Sequence, residues 1–169
     1  MACNSTSEET KLSINNTDLK LTDGMMLYKG KPYTGSTFFK NDTVVINTAS
    51  YLKGKKHGEE QRFFYNGNVA VSRSYTNGKP SGTHKTWWDN GQPKAILQYD
   101  NLGNPIGTHR EWYSNGQLAK ELNFTDGKED GTQKQWDVNG KIKANFVTIN
   151  GERFGLIGYD KCKALDYED

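Results

Sequence analysis

Glycine recurs along this chain at intervals that only a tandem repeat explains. One series lies at positions 58, 82, 107, 131 and 155, with successive members 24, 25, 24 and 24 residues apart. A second series, at positions 67, 91, 116 and 140, follows nine residues later, and each of its glycines is preceded by asparagine. A third, at positions 54, 78, 103, 127 and 151, precedes the first by four residues. Three series in one register predict a repeat array, in which the units stack because none buries its apolar face alone.

Between the glycines, apolar residues alternate with polar ones. After Gly116, the residues Leu118, Leu122 and Phe124 are separated by even numbers of positions, which is typical of a half-buried strand. An Asn-Gly pair between two such segments is a strong hairpin signal. We therefore predict an all-β fold, in which tandem hairpins stack into one elongated, twisted antiparallel sheet.

The type of turn decides which side chains share a face of that sheet. A two-residue type I′ turn at Asn90-Gly91 places Trp88 opposite Pro93, whereas a type I turn with Gly91 in the left-handed region places Trp87 there. We favour the second turn because it predicts one coherent apolar face. That face would unite Phe63, Trp87, Trp112 and Trp136 with the apolar residues of the following strands, such as Val69, Tyr75, Leu97, Tyr99, Leu118, Leu122, Phe124, Ile142 and Phe146.

The repeat also sets the predicted boundaries. Residues 1–22 are expected to be a flexible polar tether, and residues 159–169 a C-terminal tail. The array itself is predicted over 23–158, and its two irregular ends are expected to cap exposed sheet edges. Its units are a degenerate first unit at about 28–54, full units at about 55–78, 79–103, 104–127 and 128–151, and a partial unit at 152–158.

Composition argues against several functions. The 22 basic residues balance 20 acidic ones without a dense basic run, so nucleic acid is not the expected ligand. The sequence contains no run of 18 or more apolar residues, so no transmembrane segment is predicted. We expect no enzymatic activity and no cofactor, because the sequence contains no nucleophile elbow and a single-layer sheet offers no deep pocket.

Cys3 is a candidate lipidation site. It is followed by the polar segment 4–10 and preceded only by Met1-Ala2, which is typical of a bacterial lipoprotein whose signal peptide has been replaced. The sequence therefore predicts a lipid anchor and a place in the bacterial cell envelope, on the outer membrane. The alternatives are a chance cysteine and a cytoplasmic protein. Cys162, in the tail, gives neither a disulfide framework nor a metal motif with Cys3 by spacing.

A partner-binding strip is predicted on the face opposite the apolar one. Aromatic and arginine side chains are enriched in protein interfaces, and cross-strand packing is the alternative role for such residues. The strip consists of Phe64, Trp88, Tyr113, His84, His109 and Arg62. A metal site at Glu60, His84 and His109 is conceivable, but a cross-strand polar ladder is favoured there and no metal is predicted.

The recurring pattern resembles a known family. The form Gly-x-x-x-x-Trp-Trp/Tyr-x-Asn-Gly-x-Leu, followed by Tyr/Phe-x-x-Gly-x-x-x-Gly, is similar to the MORN variant of bacterial YwqK-like proteins over about residues 28–158. The resemblance implies a stacked hairpin sheet without catalytic residues. Some relatives are labelled antitoxin or immunity protein, and eukaryotic MORN arrays are linked to membranes and scaffolding.

These observations predict a non-catalytic protein–protein interaction module, acting as a lipid-anchored adaptor or accessory subunit of an envelope complex. One alternative is an antitoxin or immunity protein that binds a cognate toxin. A second alternative is a surface protein that binds carbohydrate through exposed aromatic side chains.

Overall fold

The computed structural model describes residues 10–156, which form strands joined by turns and bends. The strands are β1 (Lys11–Ser13), β2 (Leu19–Thr22), β3 (Met25–Tyr28), β4 (Lys31–Pro32), β5 (Gly35–Asn41), β6 (Val44–Leu52), β7 (Lys55–Phe63), β8 (Val69–Thr76), β9 (Lys79–Trp87), β10 (Pro93–Tyr99), β11 (Gly107–Trp112), β12 (Leu118–Thr125), β13 (Lys128–Trp136), β14 (Ile142–Ile149) and β15 (Glu152–Leu156).

Twelve of these strands form one long sheet, in the order β1, then β5 to β15 in succession. From β5 onward each strand pairs antiparallel with the next one along the chain, because a short connection brings the chain straight back. Strand β1 lies at one end and pairs parallel with β5. The predicted all-β fold of stacked hairpins is confirmed.

The Asn-Gly turns have the three-residue geometry that the sequence favours. The Trp88 N–H donates to the Gln92 carbonyl at 2.9 Å, and the Gly91 N–H donates to the Trp88 carbonyl at 2.9 Å. Gly91 has a φ of 81°, a left-handed conformation in which a Cβ would be strained. Trp87 consequently pairs with Pro93, as predicted.

The prediction that Trp87 shares a face with Leu97 is wrong, because a bulge follows each turn. In β10, the pairing of Pro93 with Trp87 is followed by a one-residue offset at Lys94. Such an offset exchanges the two faces of a strand, and Leu97 therefore lies opposite His84. The same offset recurs between β7 and β8, β11 and β12, and β13 and β14.

A second irregularity lies near the first glycine series. Between β8 and β9, Ser72 pairs with Lys85 but Ser74 pairs with Ser81, so β9 carries two extra residues beside Gly82. The same shift occurs between β6 and β7 and between β12 and β13. Bulges bend and twist a sheet. We call the face that carries the buried side chains of Glu60, His84, His109 and Gln133 the inward face, and the opposite face the outward face.

The connections between units are tight turns of a second kind. At Asn77-Gly78 both residues have positive φ, 51° and 85°, as a type I′ turn requires. A three-residue loop, 101–103, replaces this turn after β10 and is closed by the Asp100 N–H, which donates to the Asn104 carbonyl at 3.0 Å. The extra residue accounts for the single 25-residue interval in the glycine series.

A small sheet of β2, β3 and β4 covers the N-terminal end of the array. Leu19, Met26 and Tyr33 form its buried cluster, and the Tyr33 ring lies 6.1 Å from the Tyr51 ring of the long sheet. The sequence predicts a tether as far as residue 22, but β1 and β2 lie within that range, so paired strands reach further toward the N terminus than predicted. The predictions for residues 1–9 and 157–169, among them Cys3, Cys162 and the tail, lie outside the described residues.

Candidate functional site: two aromatic surfaces

The inward face, which we call the ring face, carries a continuous column of aromatic and imidazole rings. Ring centroids are 5.6 Å apart for Tyr75 and His84, 4.8 Å for His84 and Tyr99, 5.6 Å for Tyr99 and His109, and 4.6 Å for His109 and Phe124. Each contact joins rings on different strands. This ring column therefore holds adjacent hairpins together through cross-strand packing.

The two histidines of the column bond the backbone of the preceding strand. The Nε2 atom of His84 donates to the Ser74 carbonyl at 2.8 Å, and that of His109 donates to the Gln98 carbonyl at 2.8 Å. At the equivalent position of the next unit, the Gln133 side chain donates to the Asn123 carbonyl at 2.8 Å. Each carbonyl lies beside the two-residue register shift. The side chain at this repeat position therefore donates a hydrogen bond to the backbone where the pairing between strands is irregular.

Glu60 occupies the same position in the first full unit, and its carboxylate is only 3% exposed. It accepts the Tyr75 hydroxyl at 2.9 Å and lies 3.1 Å from both the Lys56 and the Arg62 side-chain nitrogens. Burial alone would raise the pKa of Glu60, but the hydrogen bonds and charge of Lys56, together with the bonds from Tyr75 and Arg62, lower it overall. The carboxylate is therefore held ionised by its neighbours.

The prediction that His84 and His109 lie on an exposed strip is wrong. Their exposed fractions are 6% and 7%, because the bulge after each turn brings Leu97, Tyr99 and their equivalents onto the same inward face. Neither imidazole is available to an external partner. Within residues 10–156, no group of three or more histidine, cysteine, aspartate or glutamate side chains could hold a metal ion.

Phe64, Trp88 and Tyr113, which we call the turn-edge strip, lie where the strands enter the Asn-Gly turns. The Trp88 Nε1 donates to the Trp112 carbonyl at 3.1 Å, and the Tyr113 hydroxyl donates to the Trp136 carbonyl at 3.0 Å. Both rings are half-buried and tie one unit to the next. Arg62 is half-exposed and pairs with Glu60. These contacts give the strip a structural role, and partner binding by it stays a prediction.

The outward face carries an aromatic series that the sequence pattern predicts on the apolar face. We call Trp87, Trp112 and Trp136 the tryptophan row; Phe63 continues it toward the N terminus. Each of these side chains is half-buried and lies one hairpin from the next. Because neighbouring strands are about 4.8 Å apart, successive members are about 9.6 Å apart.

The indole N–H groups of the tryptophan row are free donors. Across the described residues no acceptor bonds any of the three, and the one buried side-chain polar atom without a partner is the Thr148 hydroxyl. The three N–H groups therefore reach solvent. Water can therefore satisfy these three donors, and they remain accessible from outside the sheet.

Cations accompany the row. Lys85, Arg110 and Lys134 each lie two residues before a tryptophan on the same strand, so they share its face. Arg110 pairs with Glu121 at 2.8 Å, whereas neither Lys85 nor Lys134 forms an ion pair inside the range 10–156. This spacing was a sequence signal for the outward face, because a buried strand face does not carry a cation in each of three units.

Residues 10–156 contain no helix long and apolar enough to cross a membrane. Among the curated proteins, no sequence matches this chain. One similar solved structure is that of an S. aureus TarM mutant in complex with Fondaparinux, alpha-GlcNAc-glycerol and UDP, with 17% identity, 68% of this chain covered, 21% of that chain covered and a TM-score of 0.34. This chain spans about a fifth of that protein, and at that TM-score the likeness carries no argument.

Three of the repeat units match a known repeat family. Residues 56–79, 80–101 and 105–126 each match the family model of the MORN repeat variant, so three successive hairpin units of this chain are similar to that repeat.

Proposed function

We propose that this chain is a non-catalytic interaction module that binds another protein through the tryptophan row. MORN repeats are generally protein- or membrane-binding modules. The observation that carries the proposal is the row of three half-buried indoles whose N–H groups have no partner in the described chain. Tryptophan and arginine are the residues most enriched among the energetically important contacts of protein interfaces. The ring column keeps the units in fixed register, so the row is presented as a preformed surface.

The proposal extends to an anchored adaptor of the bacterial envelope within the YwqK-like branch. Its support is Cys3 and the polar segment 4–10 that follows it, together with the recurring Trp-Trp/Tyr-x-Asn-Gly pattern. One acyl chain gives only marginal membrane binding, so two chains or a second signal are needed for stable anchoring. Membrane fractionation of natively expressed protein, with Cys3→Ser as the matched variant, tests this part. Unchanged membrane recovery of the variant would contradict the anchor.

Affinity purification of natively expressed protein tests the binding surface. The Trp87→Thr/Trp112→Thr variant removes two members of the row, and Trp88→Thr/Tyr113→Thr makes the matched change in the turn-edge strip. We expect the first variant to recover at least tenfold less of the partner seen with the wild-type chain, and the second to recover it normally. Melting temperatures identify a variant that has simply unfolded.

The opposite result would overturn the proposal. Loss of the partner from the turn-edge variant alone would assign binding to Phe64, Trp88 and Tyr113, as the sequence predicts. Recovery of a single toxin from the cytosolic fraction would favour the antitoxin alternative.

A further inference from the structure

The tryptophan row repeats three chemical features at a fixed distance. At each step there is a free indole donor, an apolar residue directly across the hairpin, and a cation two residues away along the strand. The apolar partners of Trp87, Trp112 and Trp136 are Pro93, Leu118 and Ile142. A ligand that uses all three steps must itself repeat about every 9.6 Å.

Few polypeptide conformations have that repeat. An extended strand advances about 3.3 Å per residue and shows the same face every second residue, which gives about 6.6 Å. An α-helix repeats about every 5.4 Å, and two turns advance about 10.8 Å, which exceeds the spacing of the row by about 1.2 Å at each step. A polyproline II helix has three residues per turn and a rise of about 3.1 Å, so every third residue returns to the same side after about 9.3 Å.

A polyproline II segment also fits the chemistry of the row. It has no internal hydrogen bonds, so its carbonyl groups are free to accept from the indoles. Its proline rings suit aromatic-lined apolar surfaces, which is how several peptide-binding domains recognise proline-rich segments. Lys85 and Lys134 form no ion pair between residues 10 and 156, so they can pair with acidic residues placed at every third position.

We propose that the tryptophan row binds a proline-rich, acidic segment of the partner protein in the polyproline II conformation. This inference rests on the proposed function and names the kind of chain that the surface recognises. Glycans are disfavoured as occupants because the residues paired with the tryptophans are apolar and do not offer the converging polar groups that orient a sugar ring.

Titration with synthetic peptides tests the proposal, using the full chain and isothermal calorimetry at low salt. The probe is a peptide of four Pro-Pro-Glu repeats. Four Gly-Ser-Glu repeats keep its charge without the helix, and four Pro-Pro-Lys repeats keep the helix with the opposite charge. We expect the first peptide to bind at least tenfold more tightly than either control. Equal affinity for the Pro-Pro-Glu and Gly-Ser-Glu peptides would overturn the proposal.

Two conservative variants locate the site. Trp112→Phe keeps the ring and removes one donor, so the affinity for the Pro-Pro-Glu peptide should fall about fivefold, as expected for the loss of one hydrogen bond. Lys85→Glu should weaken binding severalfold, whereas Lys128→Glu, the same charge change near a connecting turn, should leave it unchanged. Binding that is indifferent to both Trp112→Phe and Lys85→Glu would overturn the proposal.

Parallel assays separate this inference from the proposed function. If the partner is lost from Trp87→Thr/Trp112→Thr but the Pro-Pro-Glu peptide does not bind, only the inference about the segment fails. If chitotetraose binds the tryptophan row and the peptide does not, the ligand is a glycan. The proposed protein-binding function and the inference about the proline-rich segment then both fail.

Discussion

Three kinds of side chain fill one buried repeat position in four units: Glu60, His84, His109 and Gln133, with exposed fractions of 2%, 6%, 7% and 0%. The last three donate to a backbone carbonyl of the preceding strand. An ionised glutamate cannot donate, and at that unit Lys56, Arg62 and Tyr75 converge on the carboxylate instead. What the position requires is a side chain that fills the bend and leaves no buried polar atom unbonded.

Mild acid should destabilise the array through His84. Burial lowers the pKa of His84 below its ordinary value of 6.5, because the interior disfavours the imidazolium. The folded state therefore binds this proton less readily than the unfolded chain. The contribution of His84 to stability is complete above about pH 6.5 and is lost as the pH falls below that value.

A glutamine at this position should remove the effect. His84→Gln installs the side chain found at Gln133, so the variant should lose less melting temperature than the wild type between pH 7.5 and 5.5. Glu60 does not affect this comparison. Because its pKa is lowered from 4.5, its contribution to the stability of the fold is lost only below pH 4.5. Equal losses in the two proteins would show that His84 is not the source.

At the scale of the element, the turns could be predicted and the bulges could not. The Asn-Gly spacing correctly gave the three-residue loop and the pairing of Trp87 with Pro93. The offset at Lys94 exchanges the two faces of β10, and no residue type in the sequence indicates where it occurs. For that reason the sequence pattern alone predicts exposed histidines and buried tryptophans, and both predictions are wrong. Lys85, Arg110 and Lys134 were the available signal, because they alternate with the tryptophans along the same strands.

The strands that carry the two-residue register shift also require a glycine with positive φ beside it. Gly131 has a φ of 78°, and a Cβ there would meet no atom within 4 Å. Gly131→Ala should therefore destabilise the fold by about 1–2 kcal/mol through backbone strain alone. Gly131→Asn should cost less, since asparagine tolerates this conformation better. Chemical denaturation measures both changes, and an alanine variant as stable as the wild type would contradict the assigned strain.

The long connection after β10 should be convertible to the short one. Deleting Leu102, which is 66% exposed, leaves Asp100-Asn-Gly-Asn and reproduces the two-residue turn at Asn77-Gly78. The strands on either side keep their register, so we expect the unfolding free energy to change by no more than about 1 kcal/mol. A larger loss, measured by urea denaturation, would mean that the Asp100 contacts to the loop matter more than the turn type.

At the scale of the molecule, the strands of each unit between residues 35 and 156 pair with the strands next to them in the long sheet. Removing residues 80–104 joins Lys79 to Pro105, which restores the Lys-Pro junction that exists before the cut. The shortened array should fold cooperatively, with Tyr75 meeting His109 in the ring column. Because 25 of the 147 residues from 10 to 156 are lost, the urea m-value should fall by roughly a sixth. A molten product would show that the units are not interchangeable.

The strands lie across the long direction of the sheet, so the backbone hydrogen bonds run along it. Tension applied between the two ends would load the bonds of one terminal strand at a time, and the strands would peel away in sequence instead of shearing together. The chain should therefore yield at low force and in steps of one hairpin, each step releasing about 24 residues of slack. Under such a load the described array would lengthen one hairpin at a time, and it would not break all at once.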